Sequence, residues 1–219
     1  KYYSLPTTSQ VDAIFINKKM LDAAGLKVPD KWTLDEYAAY AKAMTKGEGS
    51  SKVYGSSDYQ SNYYWTLPVR GLLGADAWYK ADGTSNFDHP AYKQALEFKN
   101  KIENVDKYQY PYTEYKSTKS SSSELFMQGK FAMSVNSIAV SRFVSNTKDY
   151  PRDFTVTVAP LPTLEKDQKD VYNGGLRHFG YLAMNKNTKE KEASWIFLKW
   201  LSTEGSVDLA KVGHIPTWK

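Results

Sequence analysis

The sequence predicts an α/β fold, and three observations carry that expectation. An apolar extended run, Val11 to Ile16, leads through Asn17 into a short helical pattern at Met20, Leu21 and Ala24. A second strand-like run, Phe131 to Val135, follows a helical turn at Glu124 to Lys130. Near the far end, Ala193, Ile196, Phe197, Trp200 and Leu201 recur at the spacing of one helical face.

The elements follow in order. Tyr3 to Pro6 reads as a strand, and Gly25 ends the helix that follows Val11 to Ile16. Thr33 and Glu36 stand at capping-box spacing before a helix with Leu34, Tyr37, Ala38, Ala41 and Met44 on its apolar face. Gly47 to Lys52 is a loop without phosphate-loop spacing, and Val53 to Ser56 is a short strand. A helix from about Trp65 to Leu73 stops at Gly74, and Asp82-Gly83 marks a tight turn. Asp88 is the expected cap of a helix with Pro90 in its first turn and Tyr92, Ala95, Leu96 and Ile102 on its apolar face. Tyr108 to Lys119 reads as a tyrosine-rich loop, and Ile138 to Val144 as a short helix. Phe154 to Val158 is extended and is closed by Pro160 and Pro162, which cannot donate to a ladder. Gly174 and Gly175 form a turn, and Tyr181 to Met184 a short strand. Asn187 and Glu190 suggest a capping box for the last helix, with Gly205 as its stop.

Composition narrows the function. The 219 residues are 41% hydrophobic, enough for one sizeable core or one and a half domains. No apolar run reaches the length of a membrane span, and without cysteine there is no disulfide framework or thiolate chemistry. The net charge of +5 comes from dispersed lysines that alternate with acids, such as Lys166 to Lys169 and Lys189 to Lys191, so no nucleic-acid partner is expected. The chain begins at Lys1 without methionine, with strand-like residues at once, and truncation is the expectation. His89, His178 and His214 lack metal-ligand spacing, and Asp35 and Glu36 suit the dipole at a helix start. No catalytic residue, cofactor or metal follows from these patterns. The 17 Tyr, 6 Trp and 9 Phe offer flat faces with polar edges, which suit sugars, although Trp195 and Trp200 are expected in a core.

Several pieces together resemble the extracellular solute-binding proteins of ABC importers, which include the maltose- and oligosaccharide-binding proteins. They are Leu161-Pro162, Gly174-Gly175, Tyr181 to Met184, Asn185-Lys186 and Ala193 to Leu201, in that order. Earlier pieces join them: Leu5-Pro6, Ile14 to Lys18, Ala24-Gly25-Leu26, Lys31 to Glu36, and Phe126, Gly129, Lys130, Ala132 and Met133. The resemblance implies a two-lobed fold of the periplasmic-binding-protein type II class, truncated at both ends. Residues 1–157 would be the second lobe with its first strand, and 158–219 the crossing and a returning segment of the first lobe. It implies an extracellular location, lipid-anchored at the cell surface or periplasmic. The implied partners are a sugar and the permease subunits of the importer, with the protein itself a monomer.

The resemblance also implies where ligand would lie, in four segments. The first is Thr8, Gln10 and Asp12, which could equally be an ordinary strand edge. The second is Gln60, Asn62, Tyr63, Tyr64 and Trp65, whose amides and rings suit hydroxyl bonding and stacking. The third holds Asn136 and, nearby, Arg142; Ala139 stands where many sugar binders carry tryptophan. The fourth is Gly174, Gly175, Arg177 and His178, in which Arg177 could grip a carboxylate or paired hydroxyls, or a neighbouring acid. Three readings stay open: a carbohydrate importer component, which is favoured; a binder of another solute such as a polyamine or peptide; and a carbohydrate-active enzyme.

Overall fold

The structure is a computed structural model, and it describes residues 3–58, 64–168, 177–211 and 213–218, with the backbone alone for 177–179. The strands are β1 (Thr8–Gln10), β2 (Asp12–Asn17), β3 (Tyr54–Ser57), β4 (Phe131–Ser137), β5 (Val156–Ala159), β6 (Arg177–Phe179) and β7 (Ile215–Pro216). The α-helices are α1 (Lys18–Ala23), α2 (Leu34–Met44), α3 (Leu67–Leu73), α4 (Pro90–Asn100), α5 (Tyr112–Ser117), α6 (Ser122–Met127), α7 (Ser141–Ser145), α8 (Lys191–Ser202) and α9 (Ser206–Ala210). The α/β expectation holds. The chain divides into two compact units: Asp12–Asn136 with Phe143–Gly175, and Lys1–Val11 with Ser137–Arg142 and Leu176–Lys219.

The larger unit is built on a sheet of order β3-β4-β2-β5. β3 runs parallel to β4, with Tyr54 opposite Phe131, and β2 runs antiparallel to β5, with Ile14 opposite Ala159. Both alternating faces of β2 are buried, as is every residue of β4, so these central strands are covered on both sides. Ile14, Ile16, Met133 and Leu21 meet Tyr37, Ala41 and Met44 of α2 in the core. The predicted capping box of α2 is formed: Glu36 N–H donates to the Thr33 hydroxyl, and Thr33 N–H donates to the Glu36 carboxylate at 2.7 Å. β5 ends at Ala159, immediately before Pro160, as the missing N–H requires. The Pro160 carbonyl then accepts the Trp32 indole N–H at 2.8 Å, and Thr163 pairs with the start of α2, its N–H donating to the Trp32 carbonyl at 2.9 Å.

Local signals err in identifiable ways. The cap of α4 is His89, not Asp88; its Nδ1 accepts the Ala91 N–H at 3.2 Å. Asp88 instead pairs with Lys80 at 2.8 Å. Asp82-Gly83 makes the tight turn, with Gly83 at φ 83°, but the flanks meet only as a single bridge, Tyr79 to Ser85. The tyrosine-rich loop contains α5.

The smaller unit holds a sheet of order β6-β1-β7, antiparallel throughout, with Thr8 opposite both Phe179 and Pro216. The strand expected at Tyr181 to Met184 reduces to one bridge, Leu182 with Leu5, whose N–H groups each donate to the other's carbonyl. The capping box expected at Asn187 and Glu190 does not form, because Asn187 N–H donates to Asn185 and Glu190 N–H to Thr188. α8 ends at Ser202, and Gly205 precedes α9, where it leaves room for the Trp200 ring: a Cβ there would lie 2.9 Å from it. The helix is where predicted, but its apolar face is not a core in this chain. Trp195, Ile196, Phe197 and Trp200 are each about half exposed.

Candidate functional site

In the larger unit, the candidate residues are Asp12, Asn62, Tyr63, Tyr64, Trp65 and Asn136. Asn62 and Tyr63 lie outside the described residues. The chain resumes in a 3₁₀ turn at Tyr64–Thr66 that runs directly into α3, with Pro68 in its first turn. Tyr64 is buried, and its hydroxyl donates to the Asp12 carboxylate at 3.2 Å. The side chains of Asp12 and Tyr64 are therefore brought together by a bond between themselves. Trp65 is half-buried, edge-on to Tyr92 at 6.2 Å. It borders a cavity of about 40 Å³ with Tyr37, Asp58, Tyr64, Phe98 and Lys99. Asn136, at the end of β4, is buried and donates to the hydroxyls of Ser122 and Ser123 at 3.5 and 3.3 Å, tying the strand to the start of α6.

One set of polar residues at this place was not legible from the sequence. Lys99 on α4 lies 2.5 Å from Glu103 and 3.7 Å from Asp58. Gln109 Nε2 donates to both acids, at 3.2 and 3.4 Å, and the other Glu103 oxygen accepts the Tyr112 N–H at 2.9 Å. Burial pushes the Asp58 carboxyl above its ordinary value; the charge of Glu103 adds to this, and Lys99 and Gln109 oppose it. Burial works against the Lys99 ammonium, but the charges of Asp58 and Glu103 and its bonds to them outweigh it and raise its pKa. The only sequence hint was the spacing of Lys99 and Glu103, four residues apart.

In the smaller unit, Gln10 is buried on β1 and stands opposite Arg177, with Ser9 opposite His178. Arg142 is exposed on α7. Gly174 and Gly175 lie outside the described residues. Among the described residues no group of three or more His, Cys, Asp or Glu could hold a metal ion. No described helix is long and apolar enough to cross a membrane.

Comparison with known proteins decides the family. Residues 1–208 match the bacterial extracellular solute-binding proteins. The chain belongs to that family. It is a family of binding proteins and not of enzymes, which removes the third reading. A maltotriose-binding protein of Pyrococcus abyssi is 28% identical over 98% of this chain and 44% of its own length. A sugar transporter of Rhizobium etli, solved in an open conformation, superposes with TM-score 0.72 at 24% identity, over 99% of this chain and 53% of its own. A substrate-binding protein of Listeria monocytogenes solved with cycloalternan reaches TM-score 0.74 at 19% identity, over 99% of this chain and 54% of its own. Those two likenesses concern the fold. The chain spans about half the length of the relatives it matches.

Proposed function

We propose that the protein captures a carbohydrate, an oligosaccharide, outside the cell and delivers it to the permease subunits of an ABC importer, with no bond made or broken. The match to a maltotriose-binding protein along almost the whole chain carries this reading. Trp65 supports it from the geometry. Its ring is half-buried and braced by Tyr92, so a sugar face stacked on it would meet a fixed surface. Tyr64 and Asp12 serve by holding that segment, and Asn136 by holding the end of β4. Gln10 and Arg142 are the smaller unit's proposed ligand-facing residues, with Asn62, Tyr63, Gly174, Gly175, Arg177 and His178 proposed on resemblance alone. The larger unit is proposed as most of one lobe and the smaller as part of the other, whose remaining elements would cover the apolar face of α8. The protein is proposed to act as a monomer, lipid-anchored at the cell surface or free in the periplasm.

Titration of the protein's tryptophan fluorescence with maltotriose, and with a panel of neutral and acidic oligosaccharides, tests the reading. Saturable binding without turnover supports it. Silence across the panel, with a response to a polyamine or peptide, would transfer the assignment to a non-sugar solute, a reading that Ala139 in place of a stacking ring favours.

A further inference from the structure

Beyond Trp65, the larger unit carries a second group of rings that the fold holds firmly and leaves partly bare. After α3 the chain turns back between Tyr79 and Ser85 and enters α4 at Pro90. The turn is well fastened. Gly83 N–H donates to the Lys80 carbonyl and Lys80 N–H to the Thr84 carbonyl, both at 2.8 Å, and the Asp82 carboxylate accepts the Thr84 N–H at 2.9 Å. Buried Asn86 ties the two arms together: its side-chain amide donates to the Asp76 carbonyl at 2.7 Å, and its N–H to the Trp78 carbonyl at 3.0 Å. The Tyr92 hydroxyl, donating to the Ala77 carbonyl, joins the turn to α4.

Phe87 stands on this frame with 56% of its surface exposed. Its ring lies 5.5 Å from half-buried Trp78 and 5.0 Å from buried Tyr92. Trp65 also rests on Tyr92, at 6.2 Å. Trp65 and Phe87 therefore share one buried support, and they stand no farther apart than those two steps together. Polar groups fringe the second ring. Asp88, the next residue, pairs with Lys80 at 2.8 Å, and both side chains are largely exposed. The bond from Lys80 holds the Asp88 carboxyl below its ordinary value, so it is ionised and accepts hydrogen bonds at neutral pH. A bare ring beside an ammonium and a carboxylate suits a sugar, whose C–H face is ringed by hydroxyls. A protein partner fits less well. The core of such an interface is depleted of charge, and one phenyl with the edge of an indole falls far short of the roughly 800 Å² that a stable partner covers.

We propose that Phe87, backed by Trp78, is a second stacking platform beside Trp65, and that it makes the site select longer oligosaccharides over shorter ones. This rests on the carbohydrate reading. A sugar unit stacks on one ring at a time. A short ligand occupies one platform, whereas a longer chain reaches both and gains the second contact without a second loss of translational freedom.

Calorimetric titration with the di-, tri- and hexasaccharides of the maltose and cellobiose series tests this on the wild type, Phe87→Ala and Phe87→Trp. Urea midpoints first establish that each variant is folded. The wild type should bind the hexasaccharide about tenfold more tightly than the disaccharide of the same series. That ratio should collapse in Phe87→Ala and return in Phe87→Trp, which keeps an aromatic face. A residue that merely braced Tyr92 and Trp65 would weaken every length equally, so an equal loss at all lengths overturns the platform. An unaltered ratio in Phe87→Ala overturns it too, and leaves the carbohydrate reading standing. Failure of the wild type to bind any of these sugars overturns both.

Discussion

Gly55→Ala probes how the strand that delivers the candidate segment is seated. Gly55 lies in β3, and its N–H donates to the Thr45 hydroxyl at 2.9 Å, just past the end of α2. A Cβ at this position would fall 1.8 Å from the Ala41 carbonyl oxygen and 2.5 Å from the Ala41 Cα. Those are backbone atoms of α2, so no rotamer change relieves the contact. The helix and strand must part by roughly 1 Å, which strips close contacts from Tyr37, Ala41 and Met44 at once. Ordinary overpacking costs about 1–3 kcal/mol, and a clash between two backbones belongs at or above the top of that range. We expect Gly55→Ala to lose about 3 kcal/mol or more in urea unfolding. Gly83→Ala is the control, because nothing lies within 4 Å of its Cβ position and only its φ of 83° is strained. That change should cost about 1–2 kcal/mol. A loss under about 1 kcal/mol in Gly55→Ala would refute the seating of β3 on α2.

Other perturbations separate binding from stability. Trp65→Ala should weaken maltotriose binding by about 1–3 kcal/mol with the fold retained, read by calorimetric titration; unchanged affinity would remove Trp65 from the site. Tyr64→Phe takes a donor from buried Asp12, and should lower unfolding stability by about 1–3 kcal/mol; no change would mean that the bond is dispensable. Phe197→Ala on the exposed face of α8 should alter this chain's stability by about 0.5 kcal/mol or less, whereas Phe126→Ala in the core should cost about 3–5 kcal/mol. Asp58→Asn should gain stability relative to the wild type as pH rises from about 4 to 7, followed by urea midpoints; a difference that does not vary with pH would contradict the raised carboxyl.

The fold was legible wherever a local pattern and a tertiary demand coincide. The α2 capping box satisfies backbone groups that any helix start leaves open, so Thr33 and Glu36 identify it without knowledge of neighbours. The Pro160 stop is likewise a property of one residue. Asp88 misled because Lys80, eight residues away, competes for its carboxylate, leaving His89 to cap α4. Asn187 misled because Asn185 and Thr188 offer nearer acceptors for the backbone. The apolar periodicity of α8 identified a face that seeks burial, and periodicity carries no information on whether this chain supplies the covering surface. At the candidate site, the pairing of Tyr64 with Asp12 joins residues 52 positions apart, and both were singled out, but by resemblance. Asp58, Lys99, Glu103 and Gln109 carry no motif; they converge only because the π-helical turn at Lys101–Val105 and the 108–110 segment fold back onto the end of β3.

That cluster also yields two effects of opposite sign from one substitution. The folded state binds the Asp58 proton more tightly than the unfolded chain does, so the stability this group contributes is full below its ordinary carboxylate value and is lost as pH rises through the raised one. At neutral pH the ionised carboxylate therefore weighs against the fold, and Asp58→Asn leaves Lys99 matched to Glu103 alone. Global stability should rise. The same change removes the attraction that ties the end of β3 to α4, so local protection at the Ser56 amide, bonded to the Tyr108 carbonyl, should fall. A side chain retained only for packing would shift both quantities in one direction, because the strand end and the fold would share its contacts. Opposed shifts are expected where a costly buried charge is kept for the geometry it imposes.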